Sequence, residues 1–128
     1  MKPEQKFLND LYTVKRVIPV SVNKITAQVE INPSHSIFSG HFPGNPVLPG
    51  AATLQILKEL VSEYLGCSIR LTRGASIKYL SFVDPRKNIL LDFDIELKEN
   101  GNGVTGCTAG IHHGDTVFCS FKGEFTFV

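Results

Sequence analysis

His41 opens a run unlike any ordinary helix or strand: His41-Phe42-Pro43-Gly44-Asn45-Pro46-Val47-Leu48-Pro49-Gly50. Pro43, Pro46 and Pro49 fix φ, while Gly40, Gly44 and Gly50 admit positive φ or the close approach of a ligand to the main chain. From Ala51 to Leu65 the pattern turns helical, so the run delivers its last amides to a helix N-terminus. Free N–H groups and the positive end of the helix dipole suit developing negative charge there. An imidazole, with an unperturbed pKa near ~6.5, keeps a neutral fraction near pH 7 and can serve as a base. A Gly/Pro-rich stretch holding one His also serves as a tight structural crossing, and the residues alone leave both uses open.

The other reactive side chains form no such cluster. Cys67, Cys107 and Cys119 are odd in number and far apart, without the paired spacing of a zinc site or a redox dithiol. They read as buried thiols. His112 and His113 are adjacent and, on a strand, would point to opposite faces, and His35 lies six residues before His41 with no acidic neighbour. No metal and no cofactor is expected.

Thirteen basic residues against twelve acidic give a net charge of +1, so no global field would recruit nucleic acid or an anionic membrane. With 42% hydrophobic residues in 128, a single domain spanning 1–128 with a real core is expected. No apolar run approaches the ~20 residues of a membrane span, and Met1 to Lys6 lacks a signal peptide's apolar core, so the cytoplasm is the expected location.

These residues need elements to hold them. Residues 7–20 read as a short helical lead-in followed by a strand toward Val20. Ile25, Ala27, Val29 and Ile31 alternate with Thr26, Gln28 and Glu30 as on a half-buried strand, which Asn32-Pro33-Ser34 ends. The loop to Gly50 follows, and then a helix from about Ala51 to Leu65, stopped by Gly66. On a helical wheel Leu54, Ile56, Leu57, Leu60, Val61, Tyr64 and Leu65 share one broad arc; Gln55, Lys58, Glu59, Ser62 and Glu63 occupy the opposite one. The helix should pack one face on a sheet. Strands are predicted at 69–82, 87–98, 103–112 and 116–127, the last with Val117, Cys119, Phe121, Phe125 and Phe127 on one side. Asn100-Gly101-Asn102-Gly103 and His113-Gly114-Asp115 supply the turns. One long helix followed by a meander of strands is an α+β domain.

The segment Gly40-His41-Phe42-Pro43-Gly44-x-Pro46-Val47-x-Pro49-Gly50 resembles the signature of the 3-hydroxyacyl-acyl carrier protein dehydratases. A second stretch, Ile77-Lys78-Tyr79-Leu80-Ser81-Phe82-Val83-Asp84-Pro85, is similar to that family's strand and proline turn after the central helix. The resemblance implies the hotdog fold, an antiparallel sheet wrapped around one long central helix. It further implies a homodimer, or a related heterodimer, in which the His of one subunit faces a helix residue of the other across an acyl tunnel. Phe38, Phe42, Pro49, Leu54 and Phe82 would line that tunnel in the substrate-binding role, although any single aromatic is as readily ordinary core. The partner would be acyl carrier protein, an acidic protein, with Arg70, Arg73, Lys78, Arg86 and Lys87 as candidates for a basic rim.

Dehydrating a 3-hydroxyacyl thioester needs a base for the proton beside the carbonyl, a donor for the enolate-like oxygen, and an acid for the departing hydroxyl. His41 suits the first role and the Gly50 amide the second. In the family the acid is a carboxylic residue fourteen positions after the motif His, which here falls on Gln55. A carboxamide is no ordinary general acid, but it offers both donor and acceptor atoms. Glu59, one helical turn onward, could substitute only if substrate or backbone sat differently. Three readings of Gln55 stand: a solvated surface residue, an orienter of the hydroxyl while His41 alone shuttles the proton, or a holder of water for thioester hydrolysis as in related hotdog thioesterases. The first expectation is a dehydratase; the alternatives are a thioesterase and a non-catalytic acyl-binding subunit paired with an active one.

Overall fold

A computed structural model of the chain describes residues 10–40, 44 and 46–128, with the backbone alone at 73–75. Six strands form one antiparallel sheet: β1 (Tyr12–Ser21), β2 (Lys24–Ile31), β3 (Ile69–Tyr79), β4 (Leu90–Gly101), β5 (Val104–His113) and β6 (Thr116–Phe127). Their order is β1-β2-β4-β5-β6-β3, so β1 and β3 are the edges. Among the described residues two helices lie between β2 and β3: one turn, α1 (Ile37–Gly40), and the long α2 (Gly50–Leu65).

The alternation that marks β2 and β4 holds. Ile25, Ala27 and Val29 pair with Ile95, Phe93 and Leu91 and all are buried, while Thr26, Gln28, Asp94 and Asp92 face outward. The inner face closes on Ile56, Leu57, Leu60 and Val61 of α2. Gly66, in the left-handed region at φ 72°, ends the helix by donating its N–H to Ser62 and Glu63 carbonyls.

Several sequence expectations need correction. The helical lead-in from Phe7 falls partly outside the described residues, and from Tyr12 the chain is already strand. The loop before Gly50 contains α1, whose Phe38 anchors in the core. The polar arc of α2 is solvated only in part: Glu63 is exposed and Gln55 and Lys58 are half-buried, but two members of the arc are not. Glu59 and Ser62 are buried there, Ser62 with its hydroxyl donated to the Cys67 carbonyl at 2.6 Å. On β6 the single apolar side is broken: Ile111 pairs with Cys119 but His112 with Val117. That slip adds one residue to β6, turning Phe118 into the core and leaving Val117 outside. His112 and His113 do not diverge either. Their rings reach Asp94 at 2.7 Å and Asp92 at 2.9 Å, two residues on the same face of β4, at the end of β5 where the chain enters the Gly114 turn.

Candidate active site at the first turns of the central helix

The entry to α2 is fixed from the other side of the sheet's edge. Leu48 donates its N–H to the Val83 carbonyl at 2.9 Å, and both residues are buried. This ties the proline-rich segment to the chain leaving β3. Pro49 is the N-cap, at φ −60° and ψ 141°, and has no side-chain oxygen with which to cap. Its carbonyl accepts from the amides of Ala52 at 3.0 Å and Thr53 at 3.2 Å. The Gly50 amide, one of the helix's orphan donors, bonds to no described residue.

Gly50 forms part of the wall of a cavity of about 260 Å³, together with Val47, Pro49, Thr53, Tyr79, Phe82, Phe118 and Cys119 among others. The walls are apolar, so a hydrogen bond donated into this space works against little water. Gly50 lets the Tyr79 ring come close: a Cβ there would meet that ring at 2.7 Å and displace it. Burial, and next the nearby Cys119 thiol, push the Tyr79 phenol above its ordinary pKa, so it remains a neutral donor. Cys119 is itself raised by burial, which makes it a poor nucleophile.

Gln55 opens on a different space. A cavity of about 300 Å³ is lined by Ala51, Leu54, Gln55, Leu57, Lys58, Arg70, Leu71, Phe121 and Phe125. Five residues of helix separate Gly50 from Gln55, about 7.5 Å of rise and about 140° of turn, so the two do not converge within one chain. Behind Gln55 stands Glu59, 2% exposed. Its Oε1 accepts from the Tyr12 hydroxyl at 2.6 Å and its Oε2 from Gln55 Nε2 at 2.9 Å.

The structure thus gathers Pro49, Gly50 and Phe82 at one cavity and Leu54 and Gln55 at another. Phe38 borders neither and is core. His41 and Phe42 lie outside the described residues, as does the side chain of Arg73. Of the proposed basic rim, Arg70, Lys78 and Lys87 are exposed. Arg86 grips Asp84 through Nε at 3.1 Å and Nη2 at 2.9 Å, which holds the Asp84 carboxyl below its usual range and leaves that guanidinium committed. Among the described residues no group of three or more His, Cys, Asp or Glu is placed to hold a metal. No helix among them is long and apolar enough to cross a membrane. Sequence reasoning missed Tyr12, Thr53 and Tyr79; a glycine at the first helical position was the only sign that a ring presses on that turn.

Residues 18–109 match the family model described as ApeI-like, ApeI dehydratase. The chain belongs to the ApeI-like dehydratase family. Over 118 residues it is 31% identical to the 3-hydroxyacyl-[acyl-carrier-protein] dehydratase FabZ of Lactobacillus helveticus, spanning 77% of each chain. The FabZ of Levilactobacillus brevis is 28% identical over 111 residues, 81% of this chain and 72% of that one. Among solved structures, the dehydratase heterocomplex ApeI:P from Xenorhabdus doucetiae superposes with a TM-score of 0.72 at 18% identity, covering 98% of this chain and 99% of that one. A hypothetical thioesterase from Streptococcus pneumoniae, solved with coenzyme A, gives 0.64 at 12% identity over 91% and 85%. The fold of these family members and neighbours is the expected hotdog, an antiparallel sheet curled around one long helix.

Proposed function

We propose that the protein, a single hotdog domain over residues 1–128, dehydrates 3-hydroxyacyl thioesters carried by acyl carrier protein to trans-2-enoyl thioesters. The observation that carries this reading is the Gly50 amide, uncapped at the start of a 16-residue helix and set in the wall of an apolar cavity. Placed against the thioester carbonyl, it stabilises the enolate-like oxygen as the C2 proton leaves, and losing one donor of this kind costs about 3 kcal/mol of barrier. His41, nine residues before Gly50 in the motif, takes that proton. The C3–O bond then breaks with its electron pair on oxygen, the C2–C3 double bond forms, and the proton returned from His41 converts the leaving group to water.

The site needs two chains in this reading. Gly50 and Gln55 of one chain face separate cavities, so a substrate at Gly50 meets the Gln55 of a second subunit. β3 is the strand prepared for that pairing: its outer edge has no neighbour among the described strands, and Ile77, Tyr79, Leu80 and Phe82 around its end are exposed, Phe82 to 79%. The second subunit is another copy or a related chain, as the dehydratase heterocomplex ApeI:P from Xenorhabdus doucetiae illustrates for that protein. Pro49, Leu54 and Phe82, with Phe42, are proposed to line the acyl path between them.

Hydration of a crotonyl thioester, followed by loss of its ultraviolet absorbance, tests the assignment. The wild type should add water, and His41→Ala should be slower by on the order of 10²- to 10⁴-fold with its fold intact. Release of free thiol without water addition would instead establish a thioesterase. Tight acyl binding with neither reaction would establish a non-catalytic subunit.

A further inference from the structure

We propose that Glu59 is a positioning residue that fixes which end of the Gln55 amide meets the substrate, so that Gln55 accepts a hydrogen bond from the 3-hydroxyl. The inference rests on the dehydratase reading for its substrate, but its geometry belongs to this chain alone.

Gln55 and Glu59 stand one turn apart on α2, the spacing at which helical side chains stack. Gln55 is half-buried at the cavity wall, whereas Glu59 is buried behind it. A carboxylate only accepts. With Oε1 held by Tyr12 and Oε2 by Gln55 Nε2, Glu59 binds the amide by its nitrogen and turns the amide oxygen away. Flipping Gln55 would set its oxygen against Oε2 and strip a buried charge of a donor, the situation that makes broken buried pairs expensive. Tyr12 secures the other oxygen. Burial first, then its bond to Glu59 and the charges of Glu59 and Glu63, drive its phenol far above the ordinary range, so it stays a donor.

The consequence is chemical. An amide oxygen that accepts the 3-hydroxyl proton orients the hydroxyl with its lone pairs free, and it does not itself supply a proton. The acid role therefore returns to His41, whose imidazolium, formed by removing the C2 proton, hands that proton to the departing oxygen. One imidazole shuttles; Gln55 aims the leaving group and Glu59 aims Gln55.

The test is a double-mutant cycle read by steady-state kinetics and by nuclear magnetic resonance of the Gln55 side-chain amide. Glu59→Gln removes the acceptor-only partner while keeping its shape. It should lower kcat on the order of tenfold to a hundredfold, the scale of lost orientation, with KM within about twofold. Gln55→Ala, at the accessible end of the pair, should cause a similar loss, and the double variant should lose no more than either single, because Glu59 acts only through Gln55. In the wild type the Gln55 amide protons should exchange slowly with water, and in Glu59→Gln they should exchange as in solution. Wild-type kcat in folded Gln55→Ala, additive losses in the double variant, or an unchanged amide signal in Glu59→Gln would each overturn the proposal. A wild type unable to process 3-hydroxyacyl thioesters would instead overturn the dehydratase reading, and the amide signal would still decide the positioning.

Discussion

The two faces of α2 solve the same problem by opposite means. At Gly50 the donor is main chain, held by the Leu48–Val83 hydrogen bond and by a proline that supplies no competing cap. Five residues on, at Gln55, the polar group is a side chain whose direction depends on a buried carboxylate and a tyrosine from β1. The first cavity is walled by Val47, Pro49, Phe82 and Phe118; the second carries Lys58 and Arg70 at its wall. A backbone donor needs only the fold to be correct. A side-chain device needs supporting residues, and the ones here come from outside the motif.

Three perturbations sharpen that contrast, in falling order of effect. The largest should come from the β3 edge, since in the proposed site the two faces are joined by a second chain. Ile77→Lys places a charge on the exposed apolar edge, and sedimentation should show monomers with activity reduced at least about tenfold, as expected where assembly and function are linked. A dimer of normal activity would return the whole site to one chain. Next, Tyr12→Phe removes a donor to the buried Glu59 and should lower unfolding stability by about 1.5–3 kcal/mol in urea titrations. Its kcat should fall less than that of Glu59→Gln, because Gln55 keeps its partner. The smallest effect concerns alkali. Burial pushes the Cys107 thiol up to about 12, and Tyr12 is raised as well. A raised folded-state value means the unfolded chain loses its proton first, so this stability is intact below about pH 9 and is lost as pH climbs toward 12. For each such group the slope is about 1.4 kcal/mol per pH unit between its two values. Unfolding stability from urea titrations at pH 8 and pH 9.5 should differ by about 1 kcal/mol, and by slightly less in Tyr12→Phe.

Much of this molecule is legible from periodicity. The expected strand at 24–31, the helix to Leu65 with its stop at Gly66, and a last strand at 116–127 stand in the structure at those bounds. Local alternation and caps determine such features. What escaped is set by contacts distant in sequence. A helical wheel gives Glu59 and Ser62 to solvent, but a strand 47 residues earlier brings Tyr12 over Glu59. Nothing in Thr116–Phe127 announces a register slip, so Phe118 and Val117 exchange places without a local sign. Phe38 read as tunnel lining because an aromatic beside the motif suits either fate, and one turn of helix sent it to the core. Gln55 and Gly50 were visible as candidates; that they line separate cavities required the helix to be placed between them.

The central claim is that each active site joins the His41 and Gly50 side of one chain to the Gln55 side of another. Subunit complementation tests it directly: His41→Ala and Gln55→Ala proteins are assayed separately, then unfolded together, refolded as a mixture and assayed again on a crotonyl thioester. In the mixed dimers one site unites an intact His41 with an intact Gln55, so activity should rise above that of either parent refolded alone. A mixture that forms mixed dimers yet shows only the average of its two parents would contradict the account and place both residues in the same chain.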